Sequence, residues 1–365
     1  MKILIIYTQA GEGHRRAALA LYNYLKKNHQ DYDTQVIDTL DYSSPLFKYI
    51  YNRSYTLLVT KLPWIWAVIY HISRIRILRG PIQYLRYFIN SINTKKLISH
   101  LLEYAPDYVV ATHFLPPCVV SGLKLRKLLN SALITVITDY NVHPFWLSRG
   151  SDLFIVACTY AKNELLADNI PENKIRVLGI PVDAKFQMPI SKEEARRKLN
   201  IENDKFTVLL ATSGFGLGPL ERITDLLQNE IQLLVVCGRN KTLYNNLAAK
   251  KYPFVQIFGF VDNIEELMAA SDIIITKPGG MTISESLAMG LPMIFIAGIA
   301  GQEARNAAIM ADYGVAITAL NTAQLKDAVL ELKNNPQKLQ LMKEKVKAIR
   351  KPDAAKEICA CFLPK

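Results

Sequence analysis

Two glycines and a histidine, Gly11, Gly13 and His14, stand in the stretch YTQAGEGHRRAALALYNYL (Tyr7 to Leu25), directly behind the chain's first apolar run, ILII. A glycine turn at a helix start brings backbone N–H groups up to a ligand, as phosphate cradles do. No Lys-Ser/Thr pair follows, so the side chains of a P-loop are missing. In their place is an imidazole at the mouth of a helix, positioned to take a proton from a hydroxyl. A helix N-terminus disfavours the charged imidazole and favours the neutral form that a base requires. Capping the helix or touching a phosphate is the plainer use of the same residue. Asp139 and His143, in ITDYNVHPFW, follow a second apolar run, and Asp139 can orient a histidine or act as base itself. An Asp-initiated turn ahead of Pro144 is the alternative.

The strongest local signal is SDIIITKPGGMTISESLAMGLPMIFIAGIAGQEARNA, Ser271–Ala307. An apolar strand runs into Pro278, Gly279 and Gly280, a helix opens near Met281, and Gly290 stops it. The glycines let a ligand approach the backbone. The N–H groups of Met281 and Thr282 can hold phosphate oxygens at the positive helix end. Glu285, one turn further on, suits the two vicinal hydroxyls of a ribose. A tight strand–helix turn with a solvated glutamate would read the same way in isolation. GFGLG at 214–218 and GFVDNIEELMAASD at 259–272 add a second glycine turn and a third strand end, and together the three make a nucleotide pocket.

Such loops need strands to carry them. Short apolar runs alternate with helical patterns, the signature of βαβ units and parallel sheets. The first series of strands is Ile3–Tyr7, Gln35–Asp38, Tyr108–Thr112, Leu133–Thr138, Leu153–Ala157 and Ile175–Leu178. The second starts at FTVLLATSGFGLGPLE and continues through Gln232–Val236, Val255–Phe258, Asp272–Thr276, Pro292–Ile296 and Val315–Ile317. Between them GIPVDAKFQMPISKEEARRKL has two prolines before a Ser-initiated helix, which reads as a linker. At 365 residues, with 50% apolar and 21% charged residues, the chain has material for two cores and no long tail of disordered composition. Ligands of open parallel sheets bind beyond the carboxyl ends of the strands, so the expectation is an α/β chain of two Rossmann-like domains facing a cleft.

The five cysteines have neither metal-ligand spacing nor an even disulfide framework, and MKILIIYT is too short for a signal-peptide core, so a reducing cytosol is expected. Asp31-Tyr32-Asp33 spells a metal-binding carboxylate pair, but it falls between a helix and a strand, away from the carboxyl ends, and no obligatory metal is expected.

Net charge is +12, and it is regional. Tyr42 to Leu102 holds nine Lys/Arg and no acid; removing those nine from 44 basic residues leaves 35 against 32 acidic ones. The region also holds eleven aromatics, Trp64 and Trp66 among them, and its longest uncharged run is twelve residues, too short to span a bilayer. Cations, aromatics and amphipathic spacing fit a surface lying among lipid headgroups. Single-stranded nucleic acid is the competing partner, but no recognised module accompanies the region and its Leu, Ile and Trp exceed what a phosphate-tracking groove needs. Aromatics buried in the domain core, with only the cations exposed, are a second alternative.

The second half resembles the donor domain of GT-B glycosyltransferases of family 28, which holds the peptidoglycan lipid-intermediate enzyme and the monogalactosyl- and glucosyl-diacylglycerol synthases. LLATSGFGLGPLE, VVCGRN, GFVDNIEELMAASDIIITKPGGMTISESLAMGLP and GQEARNA resemble the diacylglycerol branch more closely. GEGHRRAALAL and ITDYNVHPFWLSRGSDLFIVA extend the resemblance to the first half, with 43–100 least similar and Glu12 standing where the family pattern has glycine. The resemblance implies that Gly214, Phe215 and Gly216 lie near the diphosphate, with Gly238, and that the backbone at Phe260 and Val261 reads uracil. It implies that Gly280, Met281 and Thr282 cap the phosphates, that Glu285 holds ribose, and that Gln302, Glu303 and Asn306 contact sugar hydroxyls. The Gly13–His14 loop then serves an acceptor hydroxyl and has no need of a phosphate-binding lysine.

The combined expectation is an inverting enzyme that moves glucose or galactose from a UDP-sugar to diacylglycerol at the cytoplasmic membrane face, with no obligatory cofactor and no nucleic-acid partner. His14 is the first choice of base, with Asp139 in support. Gly13, His143, Trp64, Trp66, Arg74, Arg76 and Arg79 are assigned to acceptor or membrane contact. The expected domains are 1–182 for acceptor and membrane, a linker at 183–200, 201–337 for the nucleotide sugar, and a helix in 338–365 that crosses back to the first domain. An undecaprenyl-linked acceptor, a UDP-sugar epimerase, and a catalytically silent lipid- or nucleotide-binding protein are the alternatives.

Overall fold

A computed structural model describes residues 1–9, 11–60, 72–73, 75–187, 190–212, 214, 216, 218–296 and 301–364. The chain divides into two compact units: Met1–Ala184 with 299–305 and 353–365, and Lys185–Gly298 with 306–352.

Unit 1 is a six-stranded parallel sheet in the order β2-β1-β3-β4-β5-β6. Its strands are β1 (Lys2–Tyr7), β2 (Asp33–Asp38), β3 (Tyr108–Ala111), β4 (Ala132–Val136), β5 (Leu153–Val156) and β6 (Ile175–Val177). Helices cover both faces, so β1 carries four consecutive buried residues, Ile3 to Ile6, where a one-sided sheet would alternate. The helices are α1 (Glu12–Asn28), α2 (Pro45–Thr60), α3 (Arg76–Asn93), α4 (Lys95–Tyr104), α5 (Leu115–Leu125) and α6 (Thr159–Ala167). The last helix of the chain, α15 (Ala354–Ala360), closes one face by packing Ala354, Ala355, Ile358 and Cys359 among Ala18, Leu21 and Leu25 of α1.

Unit 2 is also a six-stranded parallel sheet, in the order β12-β11-β10-β7-β8-β9. Its strands are β7 (Thr207–Ala211), β8 (Gln232–Val236), β9 (Val255–Phe258), β10 (Ile273–Thr276), β11 (Met293–Phe295) and β12 (Ala316–Thr318). Its helices are α7 (Lys192–Lys198), α8 (Leu220–Leu227), α9 (Lys241–Ala249), α10 (Ile264–Ala270), α11 (Gly280–Ala288), α12 (Gln302–Asp312), whose first turn belongs to unit 1, α13 (Thr322–Asn334) and α14 (Pro336–Ile349). Much of the stretch read as a linker belongs to this unit. Ser191 caps α7 by accepting the Glu194 N–H at 3.1 Å, and Lys192 and Arg196 of α7 bind Asp272 at the foot of β10. Two helices occupy the end of the chain where one was expected, with Pro352 between α14 and α15.

In each sheet the strand order reverses once beside the first strand of the series, and crevices for ligands open at such switch points. In unit 1 the reversal lies between β1 and β3, where Ile6 pairs with Ala111; in unit 2 it lies between β7 and β10, where Leu210 pairs with Ile275. The GEGH turn and the segment after Ala111 leave the first switch point. GFGLG and KPGG leave the second.

Candidate active site

At the switch point of unit 1, Gly11 has φ 89°, a conformation that favours glycine, and turns the chain into α1. Glu12 opens the helix and pairs with Arg15 at 3.5 Å. His14 then lies in the first turn, facing the end of β3. Its Nδ1 is 2.9 Å from the Thr112 carbonyl oxygen and 2.8 Å from the Thr138 hydroxyl. The Thr112 hydroxyl donates back to the His14 carbonyl at 2.9 Å. A carbonyl can only accept, so the ring proton belongs on Nδ1 and the lone pair on Nε2. Burial lowers the imidazole's pKa to about 4, with the Thr112 carbonyl opposing the shift. The ring is neutral at pH 7, and burial is the main cause.

Asp139 is buried but does not orient that ring. His14 is bonded to Thr112 and Thr138, while the Asp139 carboxylate accepts from the Gln302 side-chain amide. The Gln302 carbonyl accepts from Asn141 at 3.2 Å, and Glu164 receives both the Val142 N–H and Arg305. Residues 302–305 are therefore joined to the 139–142 loop within unit 1, and Gln302 stands beside Asp139. His143 caps a short 3-10 helix, Pro144–Trp146: its Nδ1 accepts the Phe145 N–H at 3.2 Å and its Nε2 lies 2.8 Å from the Ser73 hydroxyl. Gly13 lies in the first turn of α1.

Three neighbours of His14 escaped the sequence reading: Thr138, His113 and Trp146. His113 is fully buried, with its ring 4.6 Å from that of His14 at 88°, and the Trp146 ring lies at 6.2 Å. Only β1–β3 pairing brings His113 to His14, so no local pattern reveals the pair.

The acid-free stretch of sequence is not acid-free in space. Arg79 forms an ion pair with Asp168, and Lys48 with Asp41. Arg86 is half-buried, with its guanidinium 3.9 Å from the Phe145 ring centroid, and donates to the Phe145 carbonyl at 3.3 Å. Lys95 and Lys96 are exposed. Around them α2 and α3 expose Leu46, Tyr49, Ile50, Ile77, Tyr84, Leu85, Phe88 and Ile92, with Ile77 at 87% and Tyr84 at 73%. Trp64, Trp66, Arg74 and the side chain of Arg76 lie outside the described residues. No helix among the described residues is long and apolar enough to cross a membrane.

At the switch point of unit 2 the chemistry is main-chain. Gly216 has φ 58°, and a Cβ there would overlap the Cys237 carbonyl. Gly238 also has φ 58°; the N–H of Arg239 next to it donates to the Gly214 carbonyl at 2.9 Å, clasping the two turns together. Phe215 lies outside the described residues. Phe260 is 54% exposed, with the Arg239 guanidinium 5.1 Å from its ring centroid, and Val261 follows half-buried. Gly279 opens α11 without a side-chain cap, so the N–H groups of Gly280, Met281 and Thr282 have no side-chain acceptor from the cap residue. Glu285 is buried on the next turn. Asn306 is fully buried and donates to the Pro278 carbonyl at 3.1 Å, which shapes the turn, while Glu303 is half-buried. Asp31 and Asp33 lie at the amino end of β2, where Asp33 pairs with Lys2, at the opposite end of the strand from the switch point of unit 1.

Solved structures share this architecture end to end. MurG of Acinetobacter baumannii aligns with a TM-score of 0.66 at 15% identity, covering 99% of each chain. The UDP-GlcNAc 2-epimerase of Neisseria meningitidis, solved with UDP-GlcNAc, aligns at 0.62 and 15%, again over 99% of each. The chain has the GT-B fold, two Rossmann-like parallel-sheet domains. Residues 14–182 match the monogalactosyldiacylglycerol (MGDG) synthase family and residues 217–358 the glycosyltransferase family 28 C-terminal domain. A processive diacylglycerol beta-glucosyltransferase of Staphylococcus saprophyticus is 30% identical over 99% of this chain and 92% of its own length. The chain belongs to glycosyltransferase family 28, in the branch of the monogalactosyldiacylglycerol synthases and processive diacylglycerol glucosyltransferases.

Proposed function

We propose that the protein transfers glucose from UDP-glucose to diacylglycerol, with inversion, while resting on the cytoplasmic face of a membrane. Diacylglycerol glycosylation from a UDP-sugar follows from family membership; glucose is favoured over galactose by the beta-glucosyltransferase relatives. The observation that carries the mechanism is the His14 imidazole, whose Nδ1 proton is held by the Thr112 carbonyl so that Nε2 presents a lone pair.

In this reading unit 2 holds the donor. The uncapped start of α11 and the glycine turns at 214–216 and 238 offer N–H groups to the diphosphate, and Glu285 takes the ribose hydroxyls. The acceptor's free hydroxyl gives its proton to His14 Nε2 as its oxygen forms a bond to the anomeric carbon. The bond from that carbon to the diphosphate breaks on the opposite face and UDP leaves with the electron pair. A single in-line displacement turns the α-linked sugar into a β-glycoside, as a beta-glucosyltransferase requires. Main-chain dipoles neutralise the leaving group, with no metal required.

The exposed apolar residues of α2 and α3, with Lys95 and Lys96, support the membrane contact. Each cation near an anionic leaflet adds about 1 kcal/mol. The test is mass spectrometry of lipids made by the purified protein from UDP-glucose or UDP-galactose and diacylglycerol vesicles. A β-glucosyl lipid supports the reading; a galactosyl product corrects the donor, and consumption of the sugar nucleotide without acceptor points to an epimerase.

A further inference from the structure

His113 is fully buried, two residues beyond β3, and has no part in the mechanism above. Its Nδ1 accepts the Leu115 backbone N–H at 3.1 Å, so that nitrogen carries a lone pair. The proton is therefore on Nε2, 3.5 Å from the Tyr51 hydroxyl. Protonating Nδ1 would set two N–H groups against each other and leave the Leu115 N–H without an acceptor. The groups facing His113 also oppose a charge. His14 approaches from α1, Tyr51 from α2 and the Arg86 guanidinium from α3, while Phe114 and Trp146 supply apolar rings. His113 is thus a neutral ring: burial above all, then any proton taken up by His14 and the Arg86 guanidinium, push its pKa well below the ordinary range.

This ring forms one wall of the His14 site. It meets the His14 ring edge to face at 4.6 Å, while Thr112 and Thr138 hold Nδ1 and Trp146 stands behind. An imidazolium at position 14 would need water, and His113 occupies the space that water would take. A charged or solvated residue there would hydrate the ring and restore an ordinary histidine.

We propose that His113 is a positioning residue: by filling the space beside His14 with a neutral, hydrogen-bond-locked ring, it keeps water from that side of the His14 imidazole and favours its unprotonated form. The identification of His14 as base belongs to the preceding reading, and the test separates the two.

Two substitutions divide ring-filling from backbone support. In His113→Asn the side-chain oxygen can still accept the Leu115 N–H, the i to i+2 bond that asparagine makes readily, but the ring is gone. His113→Phe keeps the ring and loses the bond. The chain has six histidines, so the titration of His14 can be followed by NMR of labelled imidazole, with His14→Ala for assignment. The Asn variant should raise the His14 midpoint by about one pH unit or more, toward the ordinary value, and the Phe variant should leave it within about half a unit. The acid limb of kcat/KM should move with the midpoint, while KM for UDP-glucose stays unchanged. An unmoved midpoint in the Asn variant, or an equal rise in the Phe variant, overturns the proposal. A midpoint that rises without the acid limb following leaves His113 as the wall and refutes His14 as the base.

Discussion

The two switch points are built on the same frame and furnished in opposite ways. Around His14 the walls are rings and hydroxyls: His113, Trp146, Thr112 and Thr138, with hydrogen bonds between side chains and strand-end carbonyls. Around Gly216 and Gly280 the walls are main chain, with glycines in conformations other residues avoid and a helix start left uncapped. Packing a half-buried imidazole against rings favours its unprotonated form, suited to one proton transfer. Leaving N–H groups bare makes a site for a permanent anion. In the proposed reading the same frame supplies a base in unit 1 and an anion clamp in unit 2, and each can be broken separately.

The largest effect should come from removing the base. His14→Ala is expected to lower kcat about 10³-fold, within the range for losing a general base, with affinity for UDP unchanged. Next is the clamp. Glu285→Gln should weaken UDP binding about 10-fold to 100-fold by calorimetry, the loss of one or two charge-assisted hydrogen bonds to ribose, and slow turnover at limiting donor. Gly216→Ala puts a methyl against the Cys237 carbonyl at φ 58°. It should cost about 1–2 kcal/mol of unit 2 stability by denaturant unfolding, and raise KM for UDP-glucose.

The pH dependence separates the halves further. Burial lowers the folded pKa of His14 to about 4, below the ordinary 6.5 of an exposed histidine. The unfolded chain therefore binds more protons between those values, and the fold loses stability as pH falls from about 6.5 to about 4. In the same window kcat/KM should hold nearly flat and drop only near the lower value, where an ordinary histidine would already have lost activity below 6.5. The smallest effect concerns the lipid face. Phe88→Ser with Lys95→Ser and Lys96→Ser should lower the partition constant onto anionic vesicles by about 30-fold, from roughly 1 kcal/mol for each of the two lost cations, yet leave turnover of a short-chain, water-soluble diacylglycerol within about twofold, the smallest change in activity.

The strands were legible because a parallel sheet covered on both faces turns each strand into an unbroken apolar run; Ile3 to Ile6 and Gln232 to Val236 read as strands without any partner in view. The glycine turns and helix starts of the proposed clamp were legible for a related reason, since both are local. The surroundings of the proposed base were half legible. His14 stands out after its glycines, but the ring that walls it in, His113, is 99 residues away and reaches it only through β1–β3 pairing. Asp139 looked like its partner because an acid after a strand is a local sign, whereas its bond to Gln302 spans more than 160 residues. The basic region also has partners that the sequence does not reveal. Arg79 and Arg86 count as charges in the sequence, yet Asp168 and the Phe145 ring engage them in space. Patterns carried by the backbone survive in one dimension, and side-chain pairings across strands do not.

The claim that one unit clamps the nucleotide while the other supplies the base is tested most directly by titrating UDP calorimetrically into the parent chain, His14→Ala and Glu285→Gln, with turnover measured on the same samples. Parent-like UDP affinity with turnover abolished in His14→Ala, beside weakened affinity in Glu285→Gln, is the predicted result. Equal loss of UDP affinity in both variants, or full turnover in His14→Ala, would contradict it.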